Sequence, residues 1–205
     1  MKVSRLLDYL RFGELSDLAV SDISVQANLD KLFTYINRGL KKVNSELSIL
    51  EEEAAFTIAT GVYTYEITDP LILRVTAVYD QAGVELPLDV EGDPRSVFTS
   101  SYNKVSFVGH RDDTDNKVTT LSVIYLKDFT EITAVTDEIS ISDGIMEVLT
   151  NYVAYLAHGS VNMSEGGAAS KYQTQYEVEL GKARKFGYKA QMFNSVDKLR
   201  ERGFA

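Results

Sequence analysis

The sequence predicts an α+β protein in which helices from both ends of the chain form one bundle and an antiparallel β-domain is inserted between them. The prediction follows from two changes of hydrophobic period. Helical three-and-four spacing gives way to strand-like alternation at Ala54, and helical spacing returns at Asp143. A chain of 205 residues fits one domain with an insertion. The predicted parts are a discontinuous helical domain (1–53 and 143–186), an inserted antiparallel β-domain (54–142) and an extended C-terminal arm (187–205).

The predicted helix at residues 28–50 has the clearest pattern. Its apolar side chains line one face: Leu29, Leu32, Phe33, Ile36, Leu40, Val43, Leu47 and Leu50. Asn28 is the expected N-cap. Gly39 inside the helix costs about 1 kcal/mol relative to Ala, which is acceptable where another backbone packs closely. The other predicted helices span residues 3–12, ended by Gly13, a segment beginning at Asp143, and 168–186.

The predicted strands are short and are separated by turn residues. Apolar side chains alternate in each, and the turn signals are Gly61, Asp69-Pro70, Gly83 and Gly92-Asp93-Pro94. The expected strands are 56–58, 63–67, 73–79, 84–88, 103–109 and 118–126. Short strands with frequent turns are typical of an antiparallel sheet or a small sandwich.

Composition and charge exclude several classes of protein. Cysteine is absent, which rules out disulfides and thiolate metal sites. We expect a protein made in the cytosol, without a signal peptide or membrane span, because no uninterrupted apolar run is present. Residues 181–205 carry a net charge of +5, which leaves −14 on residues 1–180. An acidic body disfavours wrapping nucleic acid, whereas the basic end suits an acidic partner.

No recognisable catalytic or metal-binding pattern is present. His110 and His158 lack metal-ligand spacing, and the loop 112–116 has neither the glycine nor the glutamate that a calcium loop requires. The Ser-x-x-Lys match at 101–104 enters a strand and lacks its companion motifs. We therefore predict no catalytic residues, no cofactor and no metal, and a protein that is not an enzyme. Scattered carboxylates are the only groups that would support an enzyme reading.

Tyrosines and the C-terminal arm leave two alternatives open. Tyr63, Tyr65 and Tyr79 are expected on a half-buried sheet face, but tyrosines of a β-domain are also typical of a carbohydrate- or surface-binding module. Tyr152, Tyr155, Tyr172 and Tyr176 are expected to pack in the core or at subunit interfaces. Basic and aromatic residues in the arm favour docking on another protein over stacking on single-stranded nucleic acid.

Several segments form a pattern that spans nearly the whole chain. They include Tyr35-Ile36-Asn37-Arg38-Gly39-Leu40, Gly61-Val62-Tyr63-Thr64-Tyr65-Glu66-Ile67, Leu121-Ser122-Val123-Ile124-Tyr125, and Tyr172-Gln173-Thr174-Gln175-Tyr176-Glu177 with its Lys182-Ala183-Arg184-Lys185 end. The pattern resembles the head–tail adaptor proteins of short-tailed phages, the tail-tubular-A-like head-completion subunits. Those proteins similarly place an Asn-x-Gly-Leu helix before a β insert.

The resemblance implies a structural virion protein at the head–tail junction. It implies a homo-oligomeric ring, a dodecamer, that docks under the portal protein and receives the tail nozzle or tail tube protein. Helices would form the ring wall, the β insert would project, and double-stranded DNA would pass through the channel without specific binding. The C-terminal arm would reach the portal, and its expected contact residues are Tyr188, Lys189, Met192, Phe193, Lys198, Leu199, Arg200, Arg202 and Phe204.

Overall fold

The computed structural model describes residues 1–107, 118–161 and 166–186, without the side chains of Val161, Gly166 and Phe186. The described chain is α+β, with helices at both ends and antiparallel sheets between them, and this confirms the predicted fold class. The predicted arm 187–205, His110 and the acidic loop 112–116 lie outside the described residues.

The helices follow the predicted order, and the strands do so except at residues 84–88, which were predicted to form a strand but make only isolated bridges at Glu85 and Leu88. The helices are α1 (Val3–Phe12), α2 (Gln26–Leu47), α3 (Asp143–Val161) and α4 (Gly166–Phe186). The strands are β1 (Glu51–Thr57), β2 (Thr64–Glu66), β3 (Ile72–Asp80), β4 (Val97–Ser101), β5 (Lys104–Phe107) and β6 (Thr120–Lys127). The strand β4 was missed, because Phe98 is the one aromatic in a run of hydroxyl residues that reads as a loop.

Contacts divide the described chain into two compact units. The helical unit contains Met1–Ile49 and residues 129–186, and the β unit contains residues 50–107 and 118–128. Residues 129–142 were assigned to the β insert, but Ile132 and Ile139 are buried in the core of the helical unit. Separate folding of the two units stays a prediction.

The helical unit is built on amphipathic helices. In α1 the buried residues Val3, Leu6, Leu7 and Leu10 recur at three-and-four spacing, and the Gly13 N–H closes the helix on the Tyr9 carbonyl at 2.9 Å. The predicted cap Asn28 was wrong, because α2 begins two residues earlier. Its side-chain amide instead donates to the carbonyls of Ala19 and Asp22, at 2.9 and 3.0 Å, and holds the preceding turn.

The end of α2 also differs from the predicted residue 50. Ser48 adopts a left-handed conformation with φ 49°, and its N–H donates to the Asn44 carbonyl at 2.8 Å. The buried Asn44 side chain accepts from the Ile49 N–H at 3.1 Å. This side-chain cap satisfies backbone groups at the helix end and turns the chain into β1.

The Asn-x-Gly-Leu segment of α2 fixes how the later part of the chain packs. Asn37 forms two hydrogen bonds with the peptide groups of Ile132: its amide donates to the carbonyl at 3.0 Å, and its oxygen accepts from the N–H at 2.9 Å. A Cβ on Gly39 would lie 2.7 Å from Leu149 Cδ1 and 3.3 Å from Val153 Cγ2. Side chains of α3, rather than a backbone, therefore require the glycine.

Helix α4 packs on α3 through an aromatic contact and a small buried stripe. Tyr176, Leu180 and Ala183 are buried, and the Tyr152 and Tyr176 rings lie 5.0 Å apart. Burial raises the pKa of Tyr176 to about 12, with a contribution from the Glu46 carboxylate. The Tyr176 hydroxyl is buried and has no hydrogen-bond partner among the described residues. Core packing is therefore the role of this tyrosine.

The substitution Tyr176→Phe should make the free energy of unfolding fall less steeply as the pH rises through the alkaline range. The folded pKa is raised from 10.0 to about 12, so the contribution of the neutral phenol is complete below pH 10 and is lost between about pH 10 and 12. At pH 7 the variant should be at least as stable, because it removes an unpaired buried hydroxyl. Urea unfolding at a series of pH values tests this. Tyr102→Phe, at an exposed ring, is the control, and an unchanged alkaline slope for Tyr176→Phe would contradict the prediction.

The β unit contains two three-stranded antiparallel sheets around one core. The strand orders are β1-β6-β3 and β2-β5-β4. The fully buried residues of this core are Val78, Leu86, Val97, Val105, Leu121 and Val123. The predicted alternation of apolar residues began the buried face of β3 at Leu73, and this was wrong. Ile72 is buried, whereas Leu73 is 42% exposed. Two register shifts against β6 change the phase along the strand.

Candidate interaction surfaces

His158 has a structural position in the helical unit. Its Nε2 lies 2.9 Å from the Glu14 carbonyl, and its ring stacks on Tyr172 at 4.9 Å between centroids. The Tyr172 hydroxyl donates to the same carbonyl at 3.2 Å. These contacts join the C-terminal half of α3 and the start of α4 to the turn after α1. Within the described ranges no group of three or more His, Asp or Glu residues could hold a metal ion.

The tyrosines of the β unit do not form one exposed row. Tyr65 is 7% exposed and packs against Phe56 with ring centroids 5.5 Å apart. Tyr63 precedes β2 and is 51% exposed, so the expected half-buried face does not include it. A stacking platform for a sugar needs several rings on one face. The described positions of Tyr63, Tyr65 and Tyr79 do not favour the carbohydrate-binding alternative.

A charged cluster closes one end of the sheet β1-β6-β3. The Tyr125 hydroxyl lies 3.2 Å from a Glu52 oxygen and 3.1 Å from an Asp69 oxygen, and Lys127 pairs with both carboxylates. Burial and the hydrogen bond to Asp69 raise the pKa of Tyr125. The cluster links β1, β6 and the turn before β3. We assign it a structural role, because it joins two strands of the sheet to the turn before β3.

A groove on the helical unit is a candidate contact surface. It lies along the exposed side of α1, where Phe12 is 78% exposed and Tyr9 is 48% exposed. Its volume is about 380 Å³, and a second cleft of about 330 Å³ continues from it along α3. Arg5, Tyr9 and Glu14 line both clefts. We name this surface the α1–α3 groove; its further lining residues are Asp8, Phe12, Gly13, Asp143, Met146, Glu147 and Thr150.

The α1–α3 groove is acidic. Four carboxylates and one guanidinium line it, which gives a net charge of −3. One Glu14 oxygen is buried and has no hydrogen-bond partner among the residues that the structure describes. A buried carboxylate oxygen without a partner is costly.

The sequence contained only part of the signal for this surface. The stripe Val3, Leu6, Leu7 and Leu10 indicates the buried face of α1, and Phe12 lies outside that stripe. A single exposed aromatic residue does not by itself mark a contact surface. The acidic members from α3 are more than 130 residues away in the chain, so only the fold brings them to α1.

An ion pair holds the basic C-terminal end of α4 just before the last described residue. Arg184 forms an ion pair with Glu46, which also binds Lys42 at 2.7 Å. Both partners lower the pKa of Glu46, with Lys42 contributing most. The predicted portal-contact residues 188–204 lie beyond this point, outside the described residues. None of the described helices is long and apolar enough to cross a membrane.

Exposed aromatic rings beside a charged cleft are typical of surfaces that bind other proteins. The α1–α3 groove is therefore a candidate surface for contact with another protein. The chain matches the family described as SU10 adaptor protein over residues 2–198 and belongs to that family of phage head–tail adaptor proteins. No curated protein matches the chain. Membership confirms the predicted phage adaptor class, a structural component of the virion; the tail-tubular-A-like subtype and the short-tailed phage stay predictions.

Proposed function

We propose that the protein is the subunit of an adaptor ring that docks under the portal of a phage virion and joins it to the tail. Membership of the adaptor family over residues 2–198 is the observation that supports this most strongly. The ring is expected to be a dodecamer, and its partners are the portal protein and a tail nozzle or tail tube protein. We infer no catalytic step and no cofactor in this role.

The helical unit suits side-by-side assembly. Its core joins Leu32 of α2 with Leu149 of α3 in one hydrophobic cluster, so segments from both ends of the chain form one body. A single packed body gives the subunit a fixed set of outer faces, which a closed ring requires. The exposed aromatic residues Tyr9 and Phe12 supply apolar area on one of those faces.

The charge distribution suits a channel through which DNA moves. The chain carries a net charge of −9, with the basic excess confined to residues 181–205. Binding to duplex DNA depends on neutralised phosphates, so an acidic ring wall lets DNA pass without holding it. The basic, aromatic arm is then available for an acidic surface of the portal.

Electron microscopy of the purified protein mixed with its portal tests the proposal. We expect a ring stacked coaxially on the portal. A chain truncated after Phe186 should keep its melting temperature and lose portal binding, because the arm residues Tyr188 to Phe204 are removed while the described core is kept. A truncated chain that still binds would remove the arm's assigned role, and portal particles without an added ring would contradict the function.

A further inference from the structure

The outer face of α4 carries a narrow stripe of residues that no other part of the described chain covers. Lys171, Thr174, Val178, Gly181 and Lys185 are all exposed and recur at alternating three- and four-residue spacing. This spacing places them in one line along the helix, as in the seam of a helix pair. Val178 is 52% exposed. The buried residues Tyr176, Leu180 and Ala183 occupy the opposite side, so the stripe faces away from the core.

Gly181 is the informative member of this stripe. Glycine inside a helix costs about 1 kcal/mol relative to alanine. A Cβ at Gly181 would meet no atom within 4 Å, whereas a Cβ at Gly39 would collide with Leu149. The described fold of the subunit therefore requires glycine at 39 but not at 181. A second molecule that approaches the α4 backbone closely supplies a reason for it.

The stripe and the α1–α3 groove are complementary in charge. Lys171 and Lys185 give the stripe two positive charges, and the groove carries a net charge of −3. Open space lies over Gly181, which has no side chain, and we name this position the Gly181 notch. Phe12 is the most exposed large apolar residue among the described residues. Both surfaces belong to the same rigid set of helices, so one copy can present the stripe while the next presents the groove.

We propose that the α1–α3 groove of one subunit binds the α4 stripe of a second copy of this chain. Phe12 of the groove lies over the Gly181 notch, and the lysines at the two ends of the stripe face the groove carboxylates. A groove on one copy and a helix face on the next make a head-to-tail contact, which closes into a ring when the rotation allows. The inference rests on the proposed ring and identifies its subunit contact.

Two variants of the full chain separate the two sides of the contact. Phe12→Asp changes an exposed ring of the groove, so the subunit should fold normally. Gly181→Leu should raise the melting temperature, because it improves helix propensity in open space, yet it fills the Gly181 notch. Sedimentation velocity should show self-association at least about tenfold weaker for each variant. Gly159→Leu, at another exposed helical glycine with no neighbour within 4 Å, is the matched control and should associate like wild type.

Mixing the two defective variants tests the head-to-tail geometry. Phe12→Asp keeps an intact stripe and Gly181→Leu keeps an intact groove, so the mixture should form dimers and stop there. Three results would each overturn this contact. They are self-association that neither variant weakens, a wild-type chain that stays monomeric at every concentration, and a mixture of the two variants that forms no dimers. If neither variant weakens self-association and rings still form on the portal, the contact is rejected but the proposed function is retained. Weakened association together with no portal binding would retain the contact and reject the function.

Discussion

Gly39→Leu should destabilise the protein by about 3 kcal/mol. The new Cβ would lie 2.7 Å from Leu149 Cδ1 and 3.3 Å from Val153 Cγ2, and both neighbours are fully buried. Leu149 and Val153 are packed in the core, so a leucine side chain at position 39 forces the contact between α2 and α3 to repack. The gain in helix propensity, at most about 1 kcal/mol, does not offset the collision. Urea unfolding followed by far-ultraviolet circular dichroism measures the loss.

Space created on the facing helix should partly reverse this effect. Leu149→Ala removes the side chain that the added Cβ meets, so the double variant should lose less stability than the two single variants summed. Gly159→Leu is the control, because no atom lies within 4 Å of its Cβ position. Equal destabilisation by Gly39→Leu and Gly159→Leu would show that helix contact is not the reason for glycine at position 39.

Asn37→Leu should cost about 3 kcal/mol of unfolding free energy. The change removes both hydrogen bonds to the peptide groups of Ile132, a residue that is 4% exposed. The N–H and the carbonyl of Ile132 then stay buried without these partners, which is more costly than losing an exposed pair. The segment 129–142, which leads into α3, should also lose protection against amide hydrogen exchange.

A second substitution separates hydrogen bonding from packing. Asn37→Asp keeps the acceptor for the Ile132 N–H but sets a carboxylate against the Ile132 carbonyl. The loss of unfolding free energy in Asn37→Asp relative to wild type should become smaller at acid pH, because the protonated carboxyl group again donates to the Ile132 carbonyl. Asn151→Leu is the control, because that amide donates only to the Glu147 carbonyl of its own helix, at 2.8 Å. A pH-independent deficit in Asn37→Asp would contradict the assigned bonds.

Local patterns were sufficient for most of the secondary structure. The helix α1 has the predicted bounds, and strands β5 and β6 lie within or beside the predicted segments. Errors arose where a distant contact replaced a local rule. Asn28 has the chemistry of an N-cap, but its amide binds the preceding turn, so α2 begins earlier. In β3 the register shifts against β6 moved the buried position to Ile72.

The role of the Asn-x-Gly-Leu segment was partly visible in the sequence. A glycine in a strongly periodic helix indicates a close neighbour, but the pattern does not identify that neighbour. The structure shows that it is the Leu149 side chain, and it shows that Asn37 holds Ile132. The segment therefore binds two stretches of chain that follow the β insert. Its chemistry is architectural rather than catalytic.

The sequence by itself determined the α+β class, the order of helices and strands, and the separation of an acidic body from a basic end, because period and charge are local properties of the chain. Only the tertiary structure decided that residues 129–142 pack with the helices and that carboxylates of α1 and α3 line one groove. These are contacts between residues that are far apart in the chain, and no local pattern specifies which buried faces meet.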